Sequence, residues 1–401
     1  MTVSAPLRSL PAGIWALGIG SLFMDVSSEM IHSLLPVFLT TVLGASVATV
    51  GFIEGVAEAT VAITKVFSGV VSDRIGKRKP IVVFGYTLAA LTKPIFPLAQ
   101  TVAWVFGARF IDRVGKGIRG APRDALIADI TPPQLRGAAY GLRQALDSVG
   151  AFFGPLLAVV FMLWFANDLR AVMWIGALPA FMAVAVLAIY VREPERNPTS
   201  TVAPSPKINA AELRQLSSHY WLIVLLGGVF TLARFSEAFL VLRAQNVGLA
   251  IGYVPLVMIV MNVVYAGLAY PAGAAADRMS ARALLLVGLA VLIVADTLLA
   301  LASSPALVFS GAALWGIHMA LTQGLFSKLV ADAAPGQLRG TAFGLFNLAS
   351  GAALLLASVI AGELWNVLGP PATFFAGAGF AALTAAGLLA YRLKTGAVTK
   401  R

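Results

Sequence analysis

The stretch MDVSSEMIHSLLP, from Met24 to Pro36, spaces Asp25, Glu29 and His32 four and three residues apart. In a helix that spacing puts all three on one face. Two carboxylates and an imidazole so placed can take up and release protons. A second stretch, ARFIDRVGKGIRGAPRDALIAD, runs from Ala108 to Asp129 and concentrates charge in an apolar chain. At helical pitch Arg109, Asp112, Arg113, Lys116 and Arg123 fall within about 100° of one another, with Arg119 at the edge of the arc. Basic residues outnumber acidic ones there, so the stripe can attract an anionic group or exchange partners with protonatable carboxylates. A carboxylate of the first stretch opposed by Arg113 would make a switch. Protonation releases the arginine, and a substrate anion competes for it. The structural alternative is pairing along the helix, Arg109 with Asp112 and Asp112 with Lys116.

Smaller groups follow the same logic. VGFIEGVAEATVAITK carries Glu54, Glu58 and Lys65, with Glu58 and Lys65 on one face and Glu54 placed toward an outer interface. Glu58 is therefore the preferred candidate. Arg143 and Asp147, four apart, form a structural pair. TLARFSEAFLVLR holds Arg234 and Glu237, three apart, and its FSE echoes the earlier SSE. Asn262, Tyr265, Asp296, His318 and Gln323 complete the polar set, with His318 the candidate among them. A dense His cluster and cysteine are both absent from the sequence, so a metal site, a disulfide framework and a Cys nucleophile are not expected, nor is a bound cofactor.

These residues must be positioned by helices in lipid. The 401-residue chain is 59% hydrophobic and 12% charged, about half the usual charged fraction of a soluble domain, and its mean hydropathy is +0.87. A spanning helix needs about 20 mostly apolar residues. Twelve candidate spans follow, at about 13–38, 49–71, 81–99, 101–125, 137–164, 170–191, 219–242, 253–275, 283–301, 305–327, 338–362 and 371–392. The fold class is thus an all-α membrane protein of two six-helix bundles. The N-terminus carries no cleavable signal pattern, so the first span is expected to be retained. The net charge of +11 sits mainly in alternate gaps between spans rather than on a polar domain. That distribution speaks for basic loops facing the cytoplasm and against nucleic acid as a partner. Both termini are expected on the cytoplasmic side of the inner membrane. Arg170 and Arg243 are the main exceptions on the opposite side. A Pro-, Ser- and Thr-rich stretch then divides the chain into bundles at 1–192 and 219–401, joined by a linker at 193–218.

The halves repeat. GVVSDRIGKRK begins at Gly69 and GAAADRMSAR at Gly273; LIADITPPQLRGAAYGL begins at Leu126 and LVADAAPGQLRGTAFGL at Leu329. Two matches at nearly one offset point to duplication. With these motifs the chain resembles the major facilitator superfamily over nearly its whole length. Gly69, Asp73, Arg74, Gly76, Lys77, Arg78 and Lys79 match that family's loop motif between helices two and three. Gly273, Asp277, Arg278 and Arg282 keep it in the second half, with Ser280 in place of the internal glycine. Arg113, Gly117 and Ala121 fit the fourth-helix motif, and Gly150, Gly154 and Pro155 fit the fifth-helix motif associated with antiporters.

The resemblance implies two bundles around a cavity lined by helices one, four, seven and ten, with alternating access. It also implies a cytoplasmic latch of Gly69, Asp73, Arg74, Arg78, Asp277 and Arg278. GKGIRG, Gly115 to Gly120, lies inside a helix and not between strand and helix, which argues against a phosphate-binding loop and an ATP-driven pump. The expected function is secondary transport of a small solute, acting as a monomer in membrane lipid, with proton-coupled efflux leading. Uptake or exchange of an organic or inorganic anion, or of a metal chelate, is the alternative. Its coupling and substrate candidates are Asp25, Glu29, His32, Glu58, Arg109, Arg113, Lys116, Arg234, Glu237 and His318. A lipid-directed enzyme is disfavoured because no nucleophile–base signature stands out. A receptor is disfavoured because no soluble input domain is apparent.

Overall fold

A computed structural model describes residues 9–75, 77–193, 216–335 and 338–398. The described residues are helical and contain no strand. The main helices are α1 (Ala12–His32), α2 (Val47–Ile75), α3 (Lys79–Thr92), α4 (Val102–Ile130), α5 (Arg136–Trp164), α6 (Leu169–Tyr190), α7a (Ser218–Leu232), α7b (Ala238–Asn246), α8 (Leu256–Arg278), α9 (Ala281–Leu301), α10a (Pro305–Thr322), α10b (Leu325–Ala333), α11 (Arg339–Leu368) and α12 (Pro370–Val398). Among the described residues ten helical segments are long and apolar enough to cross a membrane. The two expected spans outside that set are instructive. One is α4, long enough but charged. The other is helix seven, which breaks in two.

The described residues form two compact units. One holds 9–43, 60–193 and 251–256; the other holds 44–59, 216–250 and 257–398. The first half of α2 thus belongs to the second unit, where Gly51 and Gly55 sit against the backbone of Ser358 and Leu355 on α11. The linker expected at 193–218 lies largely outside the described residues. Within the first unit α1 packs on α5 and α6, and α3 on α4 and α6. Within the second, α7a packs on α11 and α12, and α9 on α10a and α12. Each pairing of one unit recurs in the other, the packing counterpart of the repeated sequence. Leu17, Met24, Tyr86, Ala89, Leu126, Ile127 and Leu187 are buried at the core of the first unit.

Four helices depart from uninterrupted spans, three for an evident chemical reason. Pro36 lacks an N–H and its ring conflicts with the carbonyl four residues back, so α1 stops at His32 and a short helix Leu35–Val37 restarts. Pro94 ends α3 at Thr92 in the same way. Helix ten was expected to run through 305–327. It breaks at Gln323–Gly324, where Gly324 takes φ +71°, a left-handed conformation that glycine adopts without Cβ strain. Helix seven was expected to be continuous over 219–242. It unwinds at Arg234–Ser236, and the Ser236 hydroxyl accepts the Ala238 N–H to start α7b. Why it unwinds there has no comparable single cause.

The two basic residues that violate the loop-charge pattern are helix clamps. The Arg170 guanidinium donates to the Pro97 carbonyl and stacks 5.0 Å from the Phe38 ring. Arg243 donates to the carbonyls of Leu299 (2.9 Å), Ala300 (3.0 Å) and Ala302 (2.8 Å) at the end of α9, and to Asn246 Oδ1 (2.6 Å). A cation at a helix C-terminus satisfies carbonyls that have no partner within the helix. Arg243→Met is expected to destabilise the protein by roughly 2–4 kcal/mol, because buried carbonyls lose a charged donor. A lowered thermal unfolding midpoint in detergent is the readout, and an unchanged one would show the clamp to be dispensable.

Candidate functional site

Helix α4 carries its charged stripe into the first unit because glycines let neighbouring backbones close on it. A Cβ at Gly115 would lie 2.7 Å from the Gly85 carbonyl of α3, and one at Gly117 would lie 2.5 Å from Thr64 Cβ of α2. The Ser68 hydroxyl then donates to the Gly117 carbonyl at 2.9 Å. Gly115 and Gly117 therefore serve helix crossing, in keeping with the reading of GKGIRG as no phosphate loop. With the backbones this close, Arg109, Asp112, Arg113 and Arg119 are all buried, whereas Lys116 is exposed. Buried charge in lipid is costly unless partnered, so such a stripe turns inward.

Its best-made partner is a residue that the sequence did not single out. Lys93, at the end of α3 and only 2% exposed, donates to Asp112 Oδ1 at 2.8 Å and to the Ser28 hydroxyl of α1 at 3.0 Å. Arg113 Nε lies 3.7 Å from Asp112 Oδ2. Asp112 thus pairs with Lys93 and Arg113, and Arg109 acts on it electrostatically. Lys93 was not singled out although it stands inside the span expected at 81–99, where a lysine in lipid is costly unless partnered. Its place on the side otherwise poor in basic residues was the available signal. Deeper along α4, Arg123 donates to the Ser21 hydroxyl at 2.6 Å and Arg119 stacks 4.4 Å from the Tyr86 ring.

Asp25 and Glu29 sit where α1 crosses α5. A Cβ at Gly150 would lie 2.9 Å from Asp25 Cβ, and one at Gly154 would lie 2.8 Å from Glu29 Cβ. The two glycines of the fifth-helix motif are thus the floor under the two carboxylates. Lys116, Arg119 and Asp147 act electrostatically on Asp25; Lys116 and Arg113 act on Glu29. His32 Nδ1 lies 3.8 Å from Glu29 Oε2. Asp147 itself pairs with Arg143 at 2.6 Å, the structural pair expected. Six of the candidates, Asp25, Glu29, His32, Arg109, Arg113 and Lys116, are therefore gathered in one unit.

The remaining four lie in the second unit. Glu58 is half-buried, while Glu54, passed over in the sequence, is 1% exposed. Sequence placed Glu54 toward an outer interface, but the Gly51 and Gly55 contacts bury its helix against α11. Arg234 stands in the unwound segment, 5.6 Å from the Phe230 ring, with Glu237 and Tyr265 in electrostatic range. His318 is fully buried, its Nδ1 2.8 Å from the Gly288 carbonyl and its ring against Phe230 and Trp315. That is the setting of a packing histidine.

At the end of the helix pair α3–α4 the loop motif makes a knot. Arg78 pairs with Asp129 at 2.7 Å, and the N–H groups of Arg78 and Lys79 donate to the two Glu193 oxygens at 2.7 and 2.6 Å. A carboxylate at a helix N-terminus is favourably placed. Gly69 faces Ala121 of α4, and Arg278 is exposed. The side chains of Asp73, Arg74 and Asp277 and the whole of Gly76 lie outside the described residues.

The family model of the Major Facilitator Superfamily matches residues 17–261 and 238–401. The chain belongs to the major facilitator superfamily. The MFS-type transporter MJ1317 of Methanocaldococcus jannaschii is 32% identical over 382 residues, covering 92% of each chain. The multidrug resistance protein MdtH of Proteus mirabilis is 29% identical over 148 residues, 37% of this chain and 36% of that one. Among solved structures the nucleoside transporter NupG superposes with a TM-score of 0.77 at 13% identity, over 94% of this chain and 99% of that one; this likeness shows the fold. As a major facilitator superfamily member the chain is a multi-pass membrane protein of a transporter family.

Proposed function

We propose that the protein is a secondary active transporter that exports a small solute across the cytoplasmic membrane in exchange for protons, by alternating access, with both termini cytoplasmic. The observation that carries this reading is the seating of Asp25 and Glu29 on Gly150 and Gly154, within electrostatic range of Lys116, Arg113 and Arg119. Because the glycines bring the helix backbones together, the Cβ atoms of both residues are held at the crossing of α1 and α5. A proton arriving on Asp25 or Glu29 removes the negative charge that offsets Lys116 and Arg113. The freed cations then favour a different partner or a different helix position. Loss of the proton restores the pairing. The relative named for multidrug resistance supports export as the direction. Uptake or exchange of an anion is the second reading, favoured by the buried basic stripe of α4.

The test is purified protein in vesicles holding a pH-sensitive dye, with candidate solute gradients imposed. Solute-dependent proton movement is expected for the wild type and is expected to fall to background in Asp25→Asn and Glu29→Gln, with Arg113→Ala strongly impaired. Solute flux that leaves pH unchanged and survives both carboxylate substitutions would overturn the coupling scheme. A solute that moves only when it is anionic would favour the second reading.

A further inference from the structure

Where α1, α3 and α4 meet in the first unit, buried hydrogen-bond donors lack acceptors. Arg123 Nη1 donates to the Ser21 hydroxyl at 2.6 Å and to the Tyr86 hydroxyl at 3.4 Å, and these two hydroxyls lie 3.1 Å apart. Each hydroxyl carries one proton. One of the two protons is spent in the bond between them, and the other has no acceptor among the described residues. Ser21 and Tyr86 are both buried. Arg119 repeats the surplus. Its guanidinium stacks 4.4 Å from the Tyr86 ring, the residue is 4% exposed, and its Nη1 has no hydrogen-bond partner. Asp124 pairs with Arg123 at 3.6 Å, and Asp25, one turn beyond Ser21 on α1, acts on Arg119 only electrostatically. A buried donor without an acceptor costs free energy, more so when it is charged. An oxyanion would satisfy the guanidinium and the hydroxyl together. A guanidinium laid on an aromatic ring keeps its edge N–H groups for such a partner. Lys116 and Arg123, one turn to either side of Arg119 on α4, continue the positive face, and Lys116 is exposed.

We infer that Arg119, Tyr86 and Ser21 recognise the carboxylate or phosphate group of a small soluble anion, with Arg123 holding the two hydroxyls in place. The Arg119 Nη1 and the spare hydroxyl proton each donate to an oxygen of the anion, and the Tyr86 ring fixes the guanidinium plane. Arg113, the arginine favoured from the sequence, faces Asp112 instead, so the donor to the solute stands six residues further along α4. The inference deepens the second reading above, an anionic solute, and rests on it; it does not rest on proton coupling.

The experiment is thermal unfolding of the purified full chain in uncharged detergent. Succinate or inorganic phosphate is added against chloride at equal ionic strength, with succinamide as the uncharged probe. Succinate or phosphate, and not succinamide, is expected to raise the unfolding midpoint saturably. Arg119→Gln is expected to weaken the apparent affinity about tenfold or more, the worth of one charge-assisted hydrogen bond. Tyr86→Phe keeps the ring, removes the hydroxyl and is expected to weaken it about fivefold; this milder variant carries the test if Arg119→Gln does not fold. Wild-type affinity in the folded variants would overturn the proposal and leave the anion reading standing. No stabilisation of the wild type by either anion beyond that of chloride would overturn both. Stabilisation by phosphatidylglycerol with none by succinate or phosphate would assign the donors to a lipid headgroup and overturn the proposal as well.

Discussion

Lys93→Met is expected to cost the protein about 3–5 kcal/mol of stability, the usual consequence of removing one partner of a buried ion pair. The substitution keeps most of the side-chain volume and deletes the charge, so buried Asp112 loses its 2.8 Å partner and keeps the longer contact to Arg113, at 3.7 Å. It also removes the donor that ties Ser28 of α1 to the end of α3. Asp112→Leu is expected to cost at least as much, because it strips a partner from Lys93 and Arg113 together. The double variant Lys93→Met/Asp112→Leu should recover a large part of the loss, since it removes the charge and its counter-charge together. Recovery stays incomplete because Arg113 still lacks Asp112. Unfolding in detergent, followed by intrinsic fluorescence for all four proteins, gives the coupling energy directly. Single variants that lie within about 0.5 kcal/mol of wild type would show that the pair is solvated and of no structural consequence.

The second large effect concerns the floor under the carboxylates. Gly154→Ala is expected to destabilise by about 1–3 kcal/mol and Gly154→Leu by more, the signature of overpacking. A Cβ there would meet Glu29 Cβ at 2.8 Å, the Val26 carbonyl at 2.9 Å and the Met30 nitrogen at 3.0 Å, and two of these are backbone atoms that cannot swing away. The helices must part, and Glu29 moves with them. Proton-coupled flux is therefore expected to fall further in Gly154→Ala than its stability loss alone explains. Gly141→Ala on the same helix is the control. Nothing lies within 4 Å of a Cβ at that position, so it should be neutral or slightly stabilising through helix propensity. If Gly154→Ala behaves as Gly141→Ala does, the close crossing of α1 and α5 is not needed.

Much of the architecture was legible in the residues alone. Hydropathy must report membrane helices, because a backbone in lipid satisfies its hydrogen bonds only within a helix or a closed barrel. The paired motifs at Gly69 and Gly273 and at Leu126 and Leu329 announced a duplication, and the packing of α3 on α4 and of α9 on α10a repeats it. The breaks at Ser33 and Lys93 trace to the prolines that follow them, and the break at Gln323 to the glycine beside it. The unwinding at Arg234–Ser236 has no such local mark.

Helical pitch converts spacing into direction, so the residues alone reveal which helices carry charge and on which face. It thus placed Asp25, Glu29 and His32 together and made Arg109, Arg113 and Lys116 one stripe. Partnership was decided by tertiary structure. Lys93, nineteen positions from Asp112, is its ion-pair partner because Gly85 and Gly115 let α3 and α4 close to backbone contact. Arg170 and Arg243 became helix clamps, and Glu54 went inside while Glu58 stayed half-buried, for the same kind of reason. The strength of a charge pair depends on the distance and the dielectric between groups, and both are properties of the packed helices and not of any one of them.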